Sequence, residues 1–187
     1  IQETFDFVVD GIAYKKLDDA TVEVAPWYWK WTHSCTSGHT ETVFAGTEYS
    51  NRKDGLTIPK EITHDDQTYQ VVGIGDNAFY NMTGTEVTLS EGLTYIGAGA
   101  FGYSTCKTIE IPASVTRLDE EALHGDFTSI TFAEGSELES IGNKAFWTCD
   151  ITELALPSTV KSLGSKVFSG CDKLSSVVIP ASVTNIQ

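Results

Sequence analysis

The densest group of possible metal ligands lies near the N-terminus, where His33, Cys35, His39 and Glu41 fall within nine residues. Zinc accepts histidine, thiolate and carboxylate ligands, so these residue types are suited to zinc. Their spacing matches no zinc motif, and the intervening Ser, Thr and Gly residues are typical of a loop. We therefore predict a polar loop without a metal, and no cofactor.

A second group with chemical potential surrounds His124, which precedes Asp126 and follows Glu120 and Glu121. An imidazole beside a carboxylate is a common arrangement in acid–base catalysis. In a chain with 26 acidic residues, however, one such neighbourhood is expected by chance. The sequence contains no nucleophile elbow, zinc-protease motif, phosphate loop or CxxC pair. The prediction is a non-enzymatic protein without catalytic residues.

Three of the four tryptophans, Trp27, Trp29 and Trp31, alternate within one short segment. If the segment is a strand, these indoles share one face, because successive side chains point to opposite sides. Such a row can stack on sugar rings or on a partner protein. The alternative is that the rings pack on the end of the protein core. We treat the three residues as candidate ligand-binding residues.

A repeated block, Ile-Gly-x-x-Ala-Phe, organises most of the remaining chain. Copies or variants begin at residues 74, 96, 118, 141 and 163, and the chain ends at Ile186-Gln187, where the next would begin. The spacings of 22 or 23 residues are the signature of a solenoid. The glycine is predicted to allow a tight turn at each coil corner, and the Ala-Phe pair is predicted to form a short helical turn.

Each repeat also contains a short apolar–x–apolar strand. These strands predict a mainly β repeat solenoid, in which outward side chains form rows along stacked coils. The outward residues are small or polar and include no aromatic hot-spot residue, which makes the tryptophan segment the more plausible anchor for a ligand. The candidate ligand-binding residues on this face are Glu86, Thr88, Glu110, Thr131 and Glu153.

The first 25 residues predict a small antiparallel sheet, because alternating apolar residues flank Asp10-Gly11, a strong hairpin signal. This sheet would cover the apolar end of the first coil. We predict an N-terminal β cap with a tryptophan-rich insertion over residues 1–55, and a solenoid over residues 56–187 that is truncated at its C-terminus or continues in a longer array.

Four segments depart from regular coils. Residues 45–55 are predicted to be loop, and residues 64–70 a hairpin with Asp65 and Asp66 at its tip. Residues 133–139 are longer than their counterparts and should bulge outward. The variant block at 118–123 has acidic residues at 119–121 and Leu123 in place of Phe, so we expect its turn to be acidic and less tightly packed.

Cys149 and Cys171 occupy equivalent positions in neighbouring repeats. Because coils stack roughly 4.8 Å apart, a disulfide between them is geometrically possible. The alternative is a pair of buried thiols that pack as small apolar side chains.

The chain carries a net charge of −14, which argues against nucleic acid and anionic membrane surfaces as partners. It also has no apolar run near 18 residues, so no membrane insertion is predicted.

The repeat, Ile-Gly-x-x-Ala-Phe, then Cys, then Leu-x-x-Val-x-Ile-Pro-x-Ser-Val-Thr, resembles the BspA-type leucine-rich repeat. The match runs over residues 56–187 and is best at 141–149 and 179–184. The resemblance implies leucine-rich-repeat-like coils in a bacterial protein that is extracellular or attached to the cell surface. It further implies a binding scaffold for adhesion to a host or extracellular protein or glycan. The alternative is a structural spacer domain in a longer surface protein.

Overall fold

The structure is a computed structural model that describes the backbone of residues 5–34 and 40–186, and the side chains of residues 5–27 and 48–186. The described residues form strands joined by turns, and none of them belongs to a helix able to cross a membrane. The strands are β1 (Phe7–Val9), β2 (Ile12–Lys16), β3 (Thr21–Val24), β4 (Tyr28–Ser34), β5 (Thr40–Thr47), β6 (Leu56–Ile58), β7 (Glu61–His64), β8 (Gln67–Ile74), β9 (Val87–Leu89), β10 (Tyr95–Ile96), β11 (Thr108–Ile111), β12 (Arg117–Leu118), β13 (Ser129–Phe132), β14 (Ser140–Ile141), β15 (Glu153–Ala155), β16 (Ser162–Leu163), β17 (Ser176–Val178) and β18 (Asn185–Ile186).

The predicted antiparallel sheet at the N-terminus is confirmed. β1 pairs with β2, and Asp10 and Gly11 connect them with φ values of 50° and 72°. Two successive positive φ angles match the type I′ turn that Asp-Gly favours. β3 then pairs antiparallel with β2 and parallel with β8. The cap sheet is therefore continuous with the solenoid sheet.

The tryptophan-rich insertion forms a second hairpin, in which β4 pairs antiparallel with β5. The loop predicted over residues 45–55 is wrong at its start, because β5 extends to Thr47. The polar loop predicted around His33 and Glu41 is also too long, since both residues lie in strands. Thr, Val and Phe residues in β5 favour the extended conformation, and the tertiary pairing outweighs the Gly and Ser signals.

The hydroxyl of Tyr49 joins two parts of the N-terminal cap. This buried hydroxyl accepts a hydrogen bond from the N–H of Ala13 at 3.0 Å and donates one to the carbonyl of Ala25 at 2.8 Å. A single phenol thus connects β2 to the residue that follows β3.

Replacing Tyr49 with phenylalanine should lower the free energy of unfolding by about 1–3 kcal/mol, because it leaves buried backbone groups without their partner. Urea unfolding followed by circular dichroism measures this change. The matched control is Tyr103→Phe, since Tyr103 is 53% exposed and should change stability by less than about 0.5 kcal/mol. Equal effects of the two substitutions would contradict the role given to the Tyr49 hydroxyl.

Each coil of the solenoid has three sides. One side is the strand face, which carries β6, β9, β11, β13, β15 and β17. The second side carries β8, β10, β12, β14, β16 and β18, which pair in that order as one parallel ladder joined to the cap. The third side is the turn that contains the Ala-Phe pair. The prediction of a mainly β solenoid is therefore confirmed.

The short helical turns predicted at the Ala-Phe pairs are wrong. The fourth residue of every block has a φ between 51° and 60°, and a positive φ interrupts a right-handed helix. The N–H of Ala100 donates within its turn to Gly97, whereas the N–H of Phe101 donates to Ala122 in the next coil. Alternate amides therefore link neighbouring coils. The residues with positive φ are Asn77, Gly99, Glu121, Lys144 and Lys166.

The glycine of the block begins a turn, because the N–H of Ala100 donates to the carbonyl of Gly97. The turn does not use a positive φ at this glycine, which instead permits close approach between coils. Gly97, Gly142 and Gly164 do not have positive φ. A Cβ added to Gly142 would lie 2.6 Å from the carbonyl carbon of Asp119 in the preceding coil. The backbone of the preceding coil is thus too close to Gly142 for a Cβ at this residue.

A column of buried aromatic rings runs through the coils. The ring centroids of Phe79 and Phe101 are 5.0 Å apart, and those of Phe101 and Phe127 are 5.8 Å apart. Phe127, from the position before the strand, supplies a ring in the repeat where Leu123 replaces Phe. Leu123 is fully buried, so this variant repeat also contributes to the core, and the expectation of looser packing stays a prediction.

Two predicted insertions are confirmed. β7 pairs antiparallel with β8, and Asp65 and Asp66 form the hairpin tip with φ values of 49° and 61°. In the longer segment over residues 133–139, Gly135 has no heavy atom of another segment within 4 Å of where a Cβ would stand. This loop therefore projects from the solenoid beside the strand face.

Candidate binding site

The strands of the strand face pair two at a time. β6 pairs with β9, β11 with β13, and β15 with β17, all in parallel. No ladder connects β9 to β11 or β13 to β15, although every residue of these four strands is described. The strand face therefore has two interruptions, and they differ in how they are closed.

Side-chain carboxylates close the first interruption, between β9 and β11. Glu91 accepts hydrogen bonds from the N–H groups of Ala113 at 2.9 Å and Ser114 at 3.2 Å. Glu86 accepts one from the N–H of Lys107 at 3.2 Å. The hydrogen bond from the N–H of Ala113 is the main cause that lowers the pKa of Glu91. Burial opposes this shift, and the hydrogen bonds from Ser114 add to the lowering. These two glutamates replace the missing ladder at both ends of β11.

The lowered pKa of Glu91 makes a pH-dependent contribution to stability. A carboxyl whose pKa is lower in the folded state stabilises the fold above its ordinary pKa, roughly 4.3, and this contribution disappears as the pH falls through the lowered value. Glu91→Gln should therefore reduce stability by up to about 1 kcal/mol at pH 7, a small effect because solvent screens the exposed carboxylate.

Urea unfolding of Glu91→Gln and the wild type between pH 7 and pH 3 tests this expectation, and the difference should shrink below about pH 4. Glu134→Gln is the matched control, because Glu134 is exposed and makes no hydrogen bond to the described residues. A difference that stays constant with pH would contradict the role of the Glu91 carboxylate.

The second interruption, between β13 and β15, forms an open groove of about 980 Å³. All residues of both strands line it, together with Gly135 and Ser136 of the projecting loop. Hydroxyl groups dominate its polar lining, and Glu153 is its charged residue. The hydroxyl-bearing residues are Thr128, Ser129, Thr131, Ser136, Thr152, Ser158, Thr159 and Ser176.

The structure brings four of the five predicted strand-face residues into two adjoining grooves. Thr88, Glu110 and Thr131 line a groove of about 410 Å³ over the first interruption. Thr131 and Glu153 line the larger groove. Glu86 lines neither, because its carboxylate is engaged with the backbone of the next coil. The assignment of these residues to ligand binding remains a prediction.

Of the three tryptophans predicted to bind a ligand, Trp27 packs against the cap. Its ring lies 5.9 Å from that of Phe5 and 6.1 Å from that of Tyr49, edge to face in both pairs. These contacts leave it half-buried. Trp29 and Trp31 lie in β4, and the prediction made for their side chains falls outside the described residues. The same is true of His33, Cys35 and His39 as metal ligands.

The turns also carry a row of aromatic rings that the repeat pattern did not predict. The ring centroids of Tyr80 and Tyr103 are 5.5 Å apart, those of Tyr103 and His124 4.3 Å, and those of His124 and Trp147 4.5 Å. Tyr80, His124 and Trp147 each follow the last residue of their block. An alignment of the repeats at the residue directly after each block would have identified these aromatic residues.

His124 is a packing residue in this row. Burial lowers the pKa of its imidazole, which favours the neutral ring. Its Nδ1 is buried without a hydrogen bond and lies 3.9 Å from the Glu121 carboxylate, which pairs instead with Lys144 at 3.0 Å. Nothing in this geometry positions His124 as a base for an external substrate. Among the described residues, no group of three His, Cys, Asp or Glu side chains is arranged to hold a metal.

Cys149 and Cys171 are free and buried in the structure. The Cys149 thiol donates to the carbonyl of Leu123 at 3.1 Å, and the Cys171 thiol donates to that of Phe146 at 3.0 Å. The neighbouring Cys171 thiol and burial raise the pKa of Cys149. This agrees with the alternative of two packed thiols.

Coils of 22 or 23 residues, a continuous parallel ladder and a buried aromatic column define a leucine-rich-repeat solenoid. The sequence profile of the BspA type leucine rich repeat region matches residues 59–146 and 125–187, in six copies. The chain therefore belongs to the BspA-type leucine-rich repeat family. No curated protein matches it in sequence.

Several solved structures are similar. A leucine-rich repeat protein from Bacteroides ovatus is 26% identical, with a TM-score of 0.69 over 96% of this chain and 42% of that one. The chain thus spans less than half of that relative. The T. pallidum leucine rich repeat protein, 18% identical, has a TM-score of 0.63 over 97% of this chain and 86% of that one. A leucine rich cell surface protein from Faecalibacterium prausnitzii, 21% identical, has a TM-score of 0.55 over 96% and 44%. The similarity to the last two structures supports the fold only.

Proposed function

We propose that the chain is a non-enzymatic binding domain of a secreted or surface-attached bacterial protein, and that it binds an extracellular protein or glycan through its strand face. The groove between β13 and β15 carries this proposal, because a regular solenoid would close this position with a strand ladder. Membership of a repeat family whose members are in general scaffolds supports the absence of catalysis. The cell-surface protein of F. prausnitzii supports the proposed location by analogy.

The strand face is favoured over the tryptophan segment as the anchor. Trp27 is engaged with Phe5 and Tyr49, which leaves less of its indole for a ligand. The two strand-face grooves, by contrast, adjoin at Thr131. The strand face therefore offers the larger continuous surface for recognition.

The test is binding of the purified chain to a panel of extracellular matrix proteins and to a glycan array, measured by biolayer interferometry and array fluorescence. Thr131→Arg places a long side chain where the two grooves adjoin and should weaken binding at least tenfold. Thr57→Arg is the matched control, because Thr57 is the exposed central residue of β6, outside both grooves.

Two results would count against the proposal. Absence of binding across the whole panel at high micromolar concentration would favour the alternative of a structural spacer. Binding that Thr131→Arg and Thr57→Arg leave equally unchanged would remove the grooves as the binding surface.

A further inference from the structure

The two strands that border the larger groove present unpaired backbone groups to each other. Ser129 and Ala133 donate hydrogen bonds to Lys107 and Ile111 of the preceding coil. Because the N–H and C=O groups of successive residues in a strand point to opposite edges, the backbone groups of Ile130 and Phe132 face the groove. This edge of β13 has no ladder partner among the described residues.

The facing edge belongs to β15. The N–H of Leu156 donates to Val178, and the carbonyl of Thr152 accepts from Ser175. The even-numbered residues of this segment thus bond to β17, and the backbone groups of Glu153 and Ala155 face the groove. Each side of the groove therefore offers two residues with free backbone donors and acceptors.

The opening is fixed at both of its ends. The N–H of Asp150 donates to the carbonyl of Phe127 at 2.8 Å, and the hydroxyl of Thr159 donates to the carbonyl of Ser136 at 3.1 Å. Between these ties no hydrogen bond joins β13 to β15, whereas Glu86 and Glu91 close the equivalent interruption between β9 and β11. The two coils are thus joined at both ends of this opening, and the edges of β13 and β15 stay unpaired between these ends.

We propose that β13 and β15 bind an extended, basic peptide segment of a partner protein by β-strand addition. This proposal rests on the proposed binding function and names its partner class. Free strand edges recognise an extended backbone through ladder hydrogen bonds, and side-chain pockets add specificity. Phe132, which is partly buried, supplies an apolar contact within the groove.

Charge favours a basic segment. Glu153 is the charged residue of the groove lining, and the exposed Glu134 and Glu137 lie on the adjacent loop. A peptide with alternating Lys residues would place ammonium groups beside these carboxylates. A glycan is less well matched, since the lining includes no exposed aromatic ring on which a sugar could stack.

The probe is a fluorescein-labelled nonapeptide that alternates Lys with Val or Thr, titrated with the intact chain and followed by fluorescence anisotropy. Saturable binding is expected. A peptide of the same sequence with alternate backbone amides N-methylated keeps the charge but loses ladder donors, so it should bind at least tenfold more weakly. Equal binding of the two peptides, or no binding of the unmodified one, overturns the proposal.

Two protein variants locate the contact. Ala155→Pro removes an N–H that faces the groove, at an edge where proline is tolerated, and should weaken peptide binding at least tenfold. Ala155→Ser keeps the N–H and should bind within twofold of the wild type. Should Ala155→Pro fail to fold, Glu153→Lys provides a second variant, for which binding should weaken by a similar factor. Wild-type affinity in either folded groove variant contradicts the proposal.

Hydrogen exchange distinguishes strand addition in the groove from binding to another part of the chain. Bound peptide should protect the amides of Phe132 and Ala155, while that of Thr131, which faces β11, should not change. If the chain binds matrix proteins or glycans but neither protection nor an Ala155→Pro effect is seen, strand addition is wrong and the binding function stands. If the chain binds neither the panel nor the peptide, both proposals fail.

Discussion

Replacing Phe101 with alanine is expected to lower the free energy of unfolding by about 3–5 kcal/mol, the range measured for buried aromatic residues. Phe101 is fully buried, and its ring lies between those of Phe79 at 5.0 Å and Phe127 at 5.8 Å. Its removal leaves a cavity between the rings of the preceding and the following coil. Because alternate amides tie these coils together, the backbone cannot collapse to fill it.

The solenoid geometry adds a second expected effect of Phe101→Ala. Each coil contacts only its neighbours, so the stability of the array depends on the interfaces between successive coils. A cavity at one interface weakens the coupling between the cap side and the C-terminal side. Urea unfolding of the variant should therefore be less cooperative, with a lower m-value as well as a lower midpoint.

Circular dichroism and tryptophan fluorescence together measure this effect, since Trp147 lies on the C-terminal side of the cavity and the other three tryptophans lie on the cap side. Phe101→Leu is the control, because it retains most of the apolar volume and should cost less than about 1.5 kcal/mol. A loss below about 1 kcal/mol for Phe101→Ala, well under the usual range, would show that the ring column does not hold the coils together.

The coil and its core could be predicted from the sequence, because the repeat places the same apolar residues at a fixed period. Each block from Ile74 to Leu163 contributes an inward residue at the same point of its coil, and periodicity reports such positions directly. Hairpin tips were equally predictable. Asp10-Gly11 and Asp65-Asp66 consist of residues that tolerate positive φ, so the turn is encoded locally.

The turn conformation could not be predicted in the same way. Ala and Phe at the end of a block are compatible with a helix, but Lys144 and Lys166 adopt positive φ. The backbone around them bonds between coils, since the N–H groups of Lys144 and Phe146 donate to the carbonyls of Ser165 and Val167. This conformation is imposed by stacking, a tertiary effect that outweighs intrinsic propensity. The close approach between coils at the block glycine was not predicted for the same reason, since it leaves no mark within a single repeat.

The two interruptions of the strand face occur where the sequence departs from the regular repeat. Glu86 and Glu91 replace a ladder with side-chain hydrogen bonds, and the two extra residues near Gly135 accompany the opening between β13 and β15. The sequence showed the extra length and identified Thr131 and Glu153 as outward residues. It did not show that the strands pair two by two, because identical apolar–x–apolar strands occur on both sides of each interruption.

Replacing Gly164 with alanine is expected to destabilise the protein by about 3 kcal/mol, at the upper end of the usual cost of overpacking. A Cβ at this position would lie 2.6 Å from the carbonyl carbon of Gly142 and 2.6 Å from Oδ1 of Asn143. Asn143 Oδ1 also accepts the N–H of Ser165 at 2.8 Å. The methyl group must therefore separate two coils and break this hydrogen bond, since the nearest atoms are backbone or are held in place.

Gly135→Ala is the matched control, because it tests glycine replacement without close approach. Gly135 has a φ of 77°, and a Cβ added to it would have no neighbouring atom within 4 Å, so alanine there should cost only about 1 kcal/mol for the left-handed conformation. Gly164 has no positive φ, and its cost should come from coil spacing alone. Urea unfolding of both variants measures the contrast. If Gly164→Ala were as mild as Gly135→Ala, the coils would have room to separate, and glycine in the repeated block would not set their spacing.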